Sequence, residues 1–310
     1  MSIVVKSPFK LAGLVRYKYD HAESFTLIGL EEFKFTESFY SNSGLRISKE
    51  LTPDLHSHLK KVCSRLKLST TKVKAFIIPR PDANASCIGF EKRGCVIALH
   101  SELVNMMSPG EIQFVMGHEI GHFLLNHSYS GQENASEEEF ERSRSGEISC
   151  DRIGLLACED INAAMKAMIR MKSGLNDKFL RFDTGAFLKE METEKAFQSA
   201  LKKASHPSAT IRAKSLLRFT LSDPYQKIVH NSQGKKLETI DNHIKKDLNV
   251  YLNKKRRNDD MPSEIKNLEF WSLIYVFTKD GVLSKKEQEF LKKKYGESKV
   301  KNLISKLKNK

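Results

Sequence analysis

The stretch "GHEIGHFLL", residues 117–125, decides how this chain is read. His118 and His122 stand four apart, and Glu119 follows the first of them. On a helix, residues four apart lie one above the other on a single face, so the spacing has meaning only if the stretch is helical. The residues just upstream say that it is. Ser108 can act as N-cap, Pro109 takes the first helical position, and Glu111 sits three residues after the cap, the pattern of a capping box. A helix begun there carries both histidines well inside it. Ile112, Phe114, Val115, Met116, Ile120, Phe123 and Leu124 make it apolar on most sides, as a buried central helix should be.

Two imidazoles on one helical face, with a carboxylate beside them, are the H-E-x-x-H arrangement of zinc peptidases. His118 and His122 can hold one ion, and Glu119 can take a proton from water activated there and hand it to a leaving amine. A catalytic zinc wants three protein ligands and one open position. One branch of such enzymes adds a histidine ten residues after the first, following a glycine. Here those positions are Ser128 and Leu125, which excludes it. Another branch uses a glutamate on a downstream helix, with an aspartate one turn later that hydrogen-bonds a ligand histidine and orients it. Glu147 and Asp151, in "EISCDR", have that spacing. Glu141 competes for the role, but it has Gly146 rather than an acid near its next turns, whereas Glu147 runs into apolar "IGLLAC". Glu147 is the favoured third ligand.

Around this centre the chain of 310 residues divides readily. Residues 1–44 read as an N-terminal extension with some strand character. Leu51, Leu55, Leu59 and Val62 are spaced helically within 45–68. "VKAFIIP" (73–79) is a strand closed by proline, and "SCIGF" with "CVIALH" forms a hairpin turning near Gly94. An acidic surface loop leads into a helix capped by Ser136 and Glu139 and continuing through "EISCDRIGLLAC". A new helix starts after Asp160, and helical segments flank "SHPSATIR" (205–212). The expected units are 1–44, a metallopeptidase domain over 45–221, a helical, charged linker over 222–262 and a helical C-terminal segment over 263–310. The fold class is α+β, mainly helical, with a small β-hairpin or sheet and a helical appendage. The five scattered cysteines form no C-x-x-C pair and read as reduced, buried thiols.

Four matches in order, "NASCIG" (84–89), "HEIGH", "EISCDR" and "SHPSATIR", make residues 45–220 resemble the gluzincin metallopeptidases of the HtpX, Oma and CAAX-prenyl-protease type, metallopeptidase family forty-eight. The resemblance implies a zincin-like peptidase with one Zn2+ per chain on His118, His122 and Glu147, Glu119 as general base and acid, and Asp151 behind a ligand. It further implies that His206 stabilises the oxyanion and that Arg212 supports the site. Asn84, Ala85 and Gly89 match the family's N-A-x-x-x-G, and substrate is expected in extended form along an edge strand, from the segment before or after Gly94. "FTKDGVLSKKEQEFL" (277–291) is similar to a short element of TerB-like helical domains. There Asp280 and Gly281 make a turn, and Ser284 with Glu287 caps the next helix.

Fifty-two basic against 38 acidic residues give a net charge of +14. Much of the excess lies in "KKRR" (254–257), "KKK" (292–294) and the terminal "KLKNK", read as solvated faces or tails rather than a nucleic-acid surface. No apolar run reaches the roughly 18 residues of a membrane span, and "LAGLV" is too short for a signal peptide, so a cytoplasmic location is expected. The expected function is a zinc endopeptidase acting on polypeptides, with the C-terminal segment available to a protein partner. The alternatives are a catalytically silent metallopeptidase-fold scaffold and a basic polyanion-binding protein.

Overall fold

The computed structural model describes residues 6–21, 30–90, 93–127, 137–183, 207–252, 285–297 and 300–301. The chain forms two compact units, Met1–Leu252 and Asn253–Lys310. The first holds α1 (Pro8–Val15), α2 (Leu30–Ser43), β1 (Leu45–Arg46), α3 (Pro53–Arg65), β2 (Val73–Ile78), β3 (Ala85–Phe90), β4 (Gly94–His100) and α4 (Ser101–Met106). It continues with α5 (Pro109–Leu125), α6 (Glu137–Cys158), α7 (Ile161–Ser173), α8 (Ala209–Phe219), α9 (Asp223–Val229) and α10 (Leu237–Leu252). In the second unit α11 (Lys285–Tyr295) is described, with Leu291 and Val300 buried. Helices therefore dominate, beside one small mixed sheet.

The sheet has the order β1-β2-β4-β3. β2 and β4 run parallel, with Val73 opposite Cys95 and Ile78 opposite His100. β3 and β4 are the expected hairpin, from Ala85 opposite Leu99 to Phe90 opposite Gly94. Side chains alternate across a sheet, and each face here has its own cover. Cys95, Ile97 and Leu99 of β4 and Cys87 of β3 join the main core with Phe114 and Ile120 of α5. Phe76, Phe90 and Val96 face the other way, against Phe33 and Tyr40 of α2.

The strand character expected in residues 1–44 is not what their described part shows, because both elements there are helical. Phe33 and Phe35 alternate as strand residues do. The packed pair is instead Phe33 and Tyr40, seven apart and so two helical turns, which leaves Phe35 71% exposed. In α1, Leu11, Ala12 and Val15 share the helical face that enters the main core. α3 begins at Pro53, so Leu51 precedes it and is exposed, while Leu59 and Val62 are buried as their spacing requires.

α5 starts as read. The Ser108 N–H donates to Glu111 Oε2 at 3.1 Å, closing that half of the capping box. Glu111 is buried and also accepts from Arg170 of α7 at 2.8 Å. α6 is one continuous helix through "EISCDRIGLLAC", and Asp160 caps α7 by accepting from the N–H groups of Asn162 and Ala163. Ser136, the other cap expected, lies outside the described residues, as do "KKRR" and Asp280–Gly281. Among the described residues no helix is long and apolar enough to cross a membrane.

Candidate active site

The site is built where α5 and α6 press together, and glycine makes the closeness feasible. A Cβ on Gly117 would stand 2.3 Å from the Ala157 Cβ, and one on Gly121 would stand 3.1 Å from the Cys150 Cα. Each of these glycines precedes a histidine by one residue. The same bare face that admits α6 therefore brings its carboxylates up to both imidazoles.

His118, His122 and Glu147 converge there, all three buried. His118 Nε2 and His122 Nε2 are 3.2 Å apart. Glu147 Oε2 is 3.4 Å from His118 Nε2, and its Oε1 is 3.5 Å from His122 Nε2. For a tetrahedral ion with ligand bonds of about 2.0–2.1 Å, as zinc has, neighbouring ligand atoms stand about 3.3 Å apart. The three observed separations match the edges of such a polyhedron, and two imidazoles with a carboxylate are a donor set suited to it. Glu141, one and two-thirds turns upstream of Glu147, lines a different pocket with Tyr17, Tyr19 and Lys245.

Asp151 stands behind His118, its Oδ1 3.0 Å from His118 Nδ1. Arg212 of α8 holds that carboxylate with two prongs, Nε to Oδ2 at 2.8 Å and Nη2 to Oδ1 at 2.6 Å. It also reaches Glu147 Oε2 at 3.4 Å. Burial raises the Asp151 carboxyl, but the Arg212 and His118 contacts outweigh it and hold it below the usual carboxylate range. Burial lowers His118, and Glu147 with Asp151 overcomes that, lifting it to about 10. In His122 burial wins and holds the ring well below its ordinary value. The two rings differ because Glu147 and Asp151 together outweigh burial at His118, whereas at His122 burial is reinforced by the neighbouring His118, His127 and Arg212.

Glu119 is buried on α5; the Cys87 thiol is raised chiefly by Cys95 and burial, and the Cys150 thiol by burial and Glu147, with Glu119 a lesser cause of each. β3 is the outer strand of the sheet, so the edge lies in the segment before Gly94, and β4 after it is interior. Gly89 packs β3 on α5, with its Cβ position 3.0 Å from the Phe123 ring. Asn84 is exposed at the start of that edge; its Oδ1 accepts from the Ala85 N–H at 2.9 Å. His206 lies outside the described residues.

Sequence reasoning passed over His127, which falls one position short of the Ser128 it tested. Its Nδ1 is 3.1 Å from His122 Nδ1 and 3.3 Å from Cys150 Sγ. Its Nε2 is 3.1 Å from Asp20 Oδ2. The available signal was the "NH" that ends the helix: Asn126 takes the left-handed conformation, φ 60°, that lets a chain turn back at a C-terminus. Asp20, 98 residues before His118, carried no local signal at all.

Comparison with known proteins reaches part of this chain. Residues 49–140 match the model of peptidase family M48. The chain is 24% identical over 219 residues to the plastoglobule-localized metallopeptidase 48, chloroplastic, of Arabidopsis thaliana, covering 61% of this chain and 63% of that protein. It is 28% identical over 83 residues to a protease HtpX homolog of Moorella thermoacetica, 27% of each chain. The chain thus spans under two thirds of the length of these relatives. No solved structure matches it. The family match takes in His118, Glu119 and His122 and stops before Glu147, whose place beside them is a matter of geometry. The match to the model of peptidase family M48 takes in two of the four motifs read from the sequence, "NASCIG" and "HEIGH", and it is to this family that residues 49–140 are similar.

Proposed function

We propose that the protein is a zinc-dependent endopeptidase that hydrolyses peptide bonds in polypeptide substrates with one Zn2+ per chain. The observation that carries this reading is the convergence of His118 Nε2, His122 Nε2 and a Glu147 carboxylate, 3.2–3.5 Å apart, beside a buried Glu119. When bound, zinc supplies Lewis-acid chemistry, acidifying water and polarising a carbonyl.

The remaining work falls to the chain. Glu119 accepts the proton of the attacking water and then delivers it to the leaving nitrogen, which avoids expelling an amide anion. Asp151 holds His118 by Nδ1, and Arg212 neutralises the charge that Asp151 and Glu147 bring into one buried space. Substrate lies extended along β3, taking main-chain hydrogen bonds from the Asn84–Gly89 edge, so that cleavage depends little on side-chain identity. His206 donates to the developing oxyanion. A cytoplasmic location, and a protein partner for the C-terminal segment, belong to the same proposal.

Metal content and cleavage of a peptide library, measured on one preparation, test it. The expected result is one zinc per chain and cleavage abolished by a chelator. Zinc without cleavage of any peptide would leave the scaffold reading. Absence of zinc binding would remove the metallopeptidase reading altogether.

A further inference from the structure

Each ligand histidine has its second ring nitrogen tied down, but by different means. For His118 the tie is Asp151 directly. For His122 it is a chain of two: His122 Nδ1 to His127 Nδ1 at 3.1 Å, then His127 Nε2 to Asp20 Oδ2 at 3.1 Å. The distances suit a relay of two donated protons. In it the His127 Nε2–H donates to the Asp20 carboxylate. The His127 Nδ1 lone pair then accepts from the His122 Nδ1–H. That leaves the His122 Nε2 lone pair directed at His118 and Glu147. We propose that Asp20 and His127 are positioning residues that fix the ring and tautomer of His122 for metal binding, an inference that rests on the zinc reading above.

The backbone is arranged to serve this contact. α5 ends in a Schellman motif, with the His127 N–H donating to the His122 carbonyl at 2.9 Å and the Asn126 N–H to Phe123 at 3.2 Å. The turn returns the His127 ring to His122 when an ordinary helix would carry it away. Asp20 is held just as firmly. The Tyr17 N–H donates to Ser149 Oγ at 3.0 Å, Arg152 Nη1 to the Val15 carbonyl at 3.1 Å, and Arg16 Nε to Asp20 at 3.2 Å. Ser149 and Arg152 belong to α6, the helix that also carries Glu147 and Asp151. One helix therefore carries the third ligand and the support of both histidine ties.

Zinc affinity by chelator competition, with nitrogen-15 spectra of the histidine rings in the zinc-loaded protein, decides the matter. His127→Phe and Asp20→Ala should weaken zinc binding about 10- to 100-fold, the usual effect of losing such a partner. His127→Gln, whose amide can accept from His122 and donate to Asp20, should recover most of it. In wild type, His127 should be the Nε2–H tautomer and the His122 Nδ1–H should exchange slowly with water; in His127→Phe that exchange should become fast. Asp20→Leu, similar in size and without an acceptor, carries the same test should the other changes fail to fold. Wild type that binds zinc with His127 as the Nδ1–H tautomer overturns the proposal. So does a folded His127→Phe or Asp20→Leu that binds zinc as tightly as wild type. If Cys150→Ala loses as much affinity as His127→Phe, both residues are direct ligands and the positioning role falls. If wild type binds no zinc, the fault lies in the zinc reading itself.

Discussion

Arg212 and Asp151 form a two-pronged ion pair across α8 and α6, and the Asp151 oxygen that accepts at 2.6 Å from Arg212 lies 3.0 Å from His118 Nδ1. A guanidinium 61 residues beyond Asp151 is thereby joined to a candidate ligand through that one carboxylate. The pair fixes where His118 points, and Arg212 also offsets the charge of Glu147, the other acid in this buried space. The site is therefore better described by which carboxylate each imidazole meets than by the five residues of H-E-x-x-H.

The ligand assignment makes the first prediction. Alanine at His118, His122 or Glu147 should empty the metal site, whereas Glu141→Ala should leave it filled, because Glu141 lies with Tyr17 and Lys245. Zinc per chain, measured after dialysis, checks this. Full occupancy in Glu147→Ala would remove Glu147 from the ligand set.

Glu119→Gln should keep zinc and lose peptidase activity by about 10²- to 10⁴-fold, the range for removing one general base. The amide fills the same space but cannot accept the proton. Equal cleavage rates for mutant and wild type would trace the activity to another residue or to a contaminant.

The α5–α6 contact predicts a cost for a change that ordinarily strengthens a helix. Gly→Ala inside a helix is worth about 1 kcal/mol of stability from propensity alone. At Gly117 the new methyl would stand 2.3 Å from the Ala157 Cβ, so the helices must separate. Overpacking of that kind costs about 1–3 kcal/mol, and Gly117→Ala should therefore be net destabilising. Zinc affinity should fall with it, since Glu147 would move away from both imidazoles. Thermal denaturation and chelator competition measure the two effects, and an unchanged melting temperature with unchanged affinity would deny that the contact is tight.

A pH dependence follows from the surface of α7. Hydrogen bonds from Arg170 and Lys166 hold the Asp177 carboxyl at about 2, below its ordinary value. A depressed folded value means that the native state is favoured while the group is ionised. The contribution is present above about pH 4 and is lost as pH falls towards about 2. Asp177 is largely exposed, so solvent screening keeps the effect small. Asp177→Asn should flatten the stability profile between pH 4 and 2 and change little at pH 7. A parallel downward shift at both pH values would contradict the linkage.

What was legible in the sequence was what local chemistry writes. Ser108, Pro109 and Glu111 announce the start of α5, Asp160 the start of α7, and the apolar runs around Gly94 the hairpin. The Glu147–Asp151 spacing was readable because both residues lie on one helix. His127 and Asp20 were not, since a Schellman turn and a strap of tertiary hydrogen bonds bring them to His122, and neither leaves a periodic trace. α2 misread as strand-like for a related reason: its polar face carries Phe35 and Phe39, and only contact with the sheet shows that Phe33 and Tyr40 are the residues that count.

The last prediction concerns how far the catalytic unit extends. The sequence places a boundary near residue 221, after the last recognisable motif. Past that point α10 contributes Asp241, whose Oδ1 accepts from Arg152 Nη2 at 2.5 Å, both side chains being almost wholly buried. Asp241 also accepts from the Lys18 N–H at 2.9 Å, on the strap that carries Asp20. Removing one partner of a buried pair leaves an uncompensated charge and costs about 3–5 kcal/mol. Arg152 is next to Asp151 and bonds Val15, so that loss should reach the metal site through α6 and through residues 15–20. We therefore expect a chain ended at residue 221 to be insoluble or poor in zinc, and a chain ended at 252 to fold and hold one zinc. Asp241→Ala in the full chain should lower the melting temperature and weaken zinc binding together. If the 221 form instead folds, binds zinc and cleaves a short unstructured peptide at the full rate, α10 is an accessory and the Arg152–Asp241 pair is dispensable.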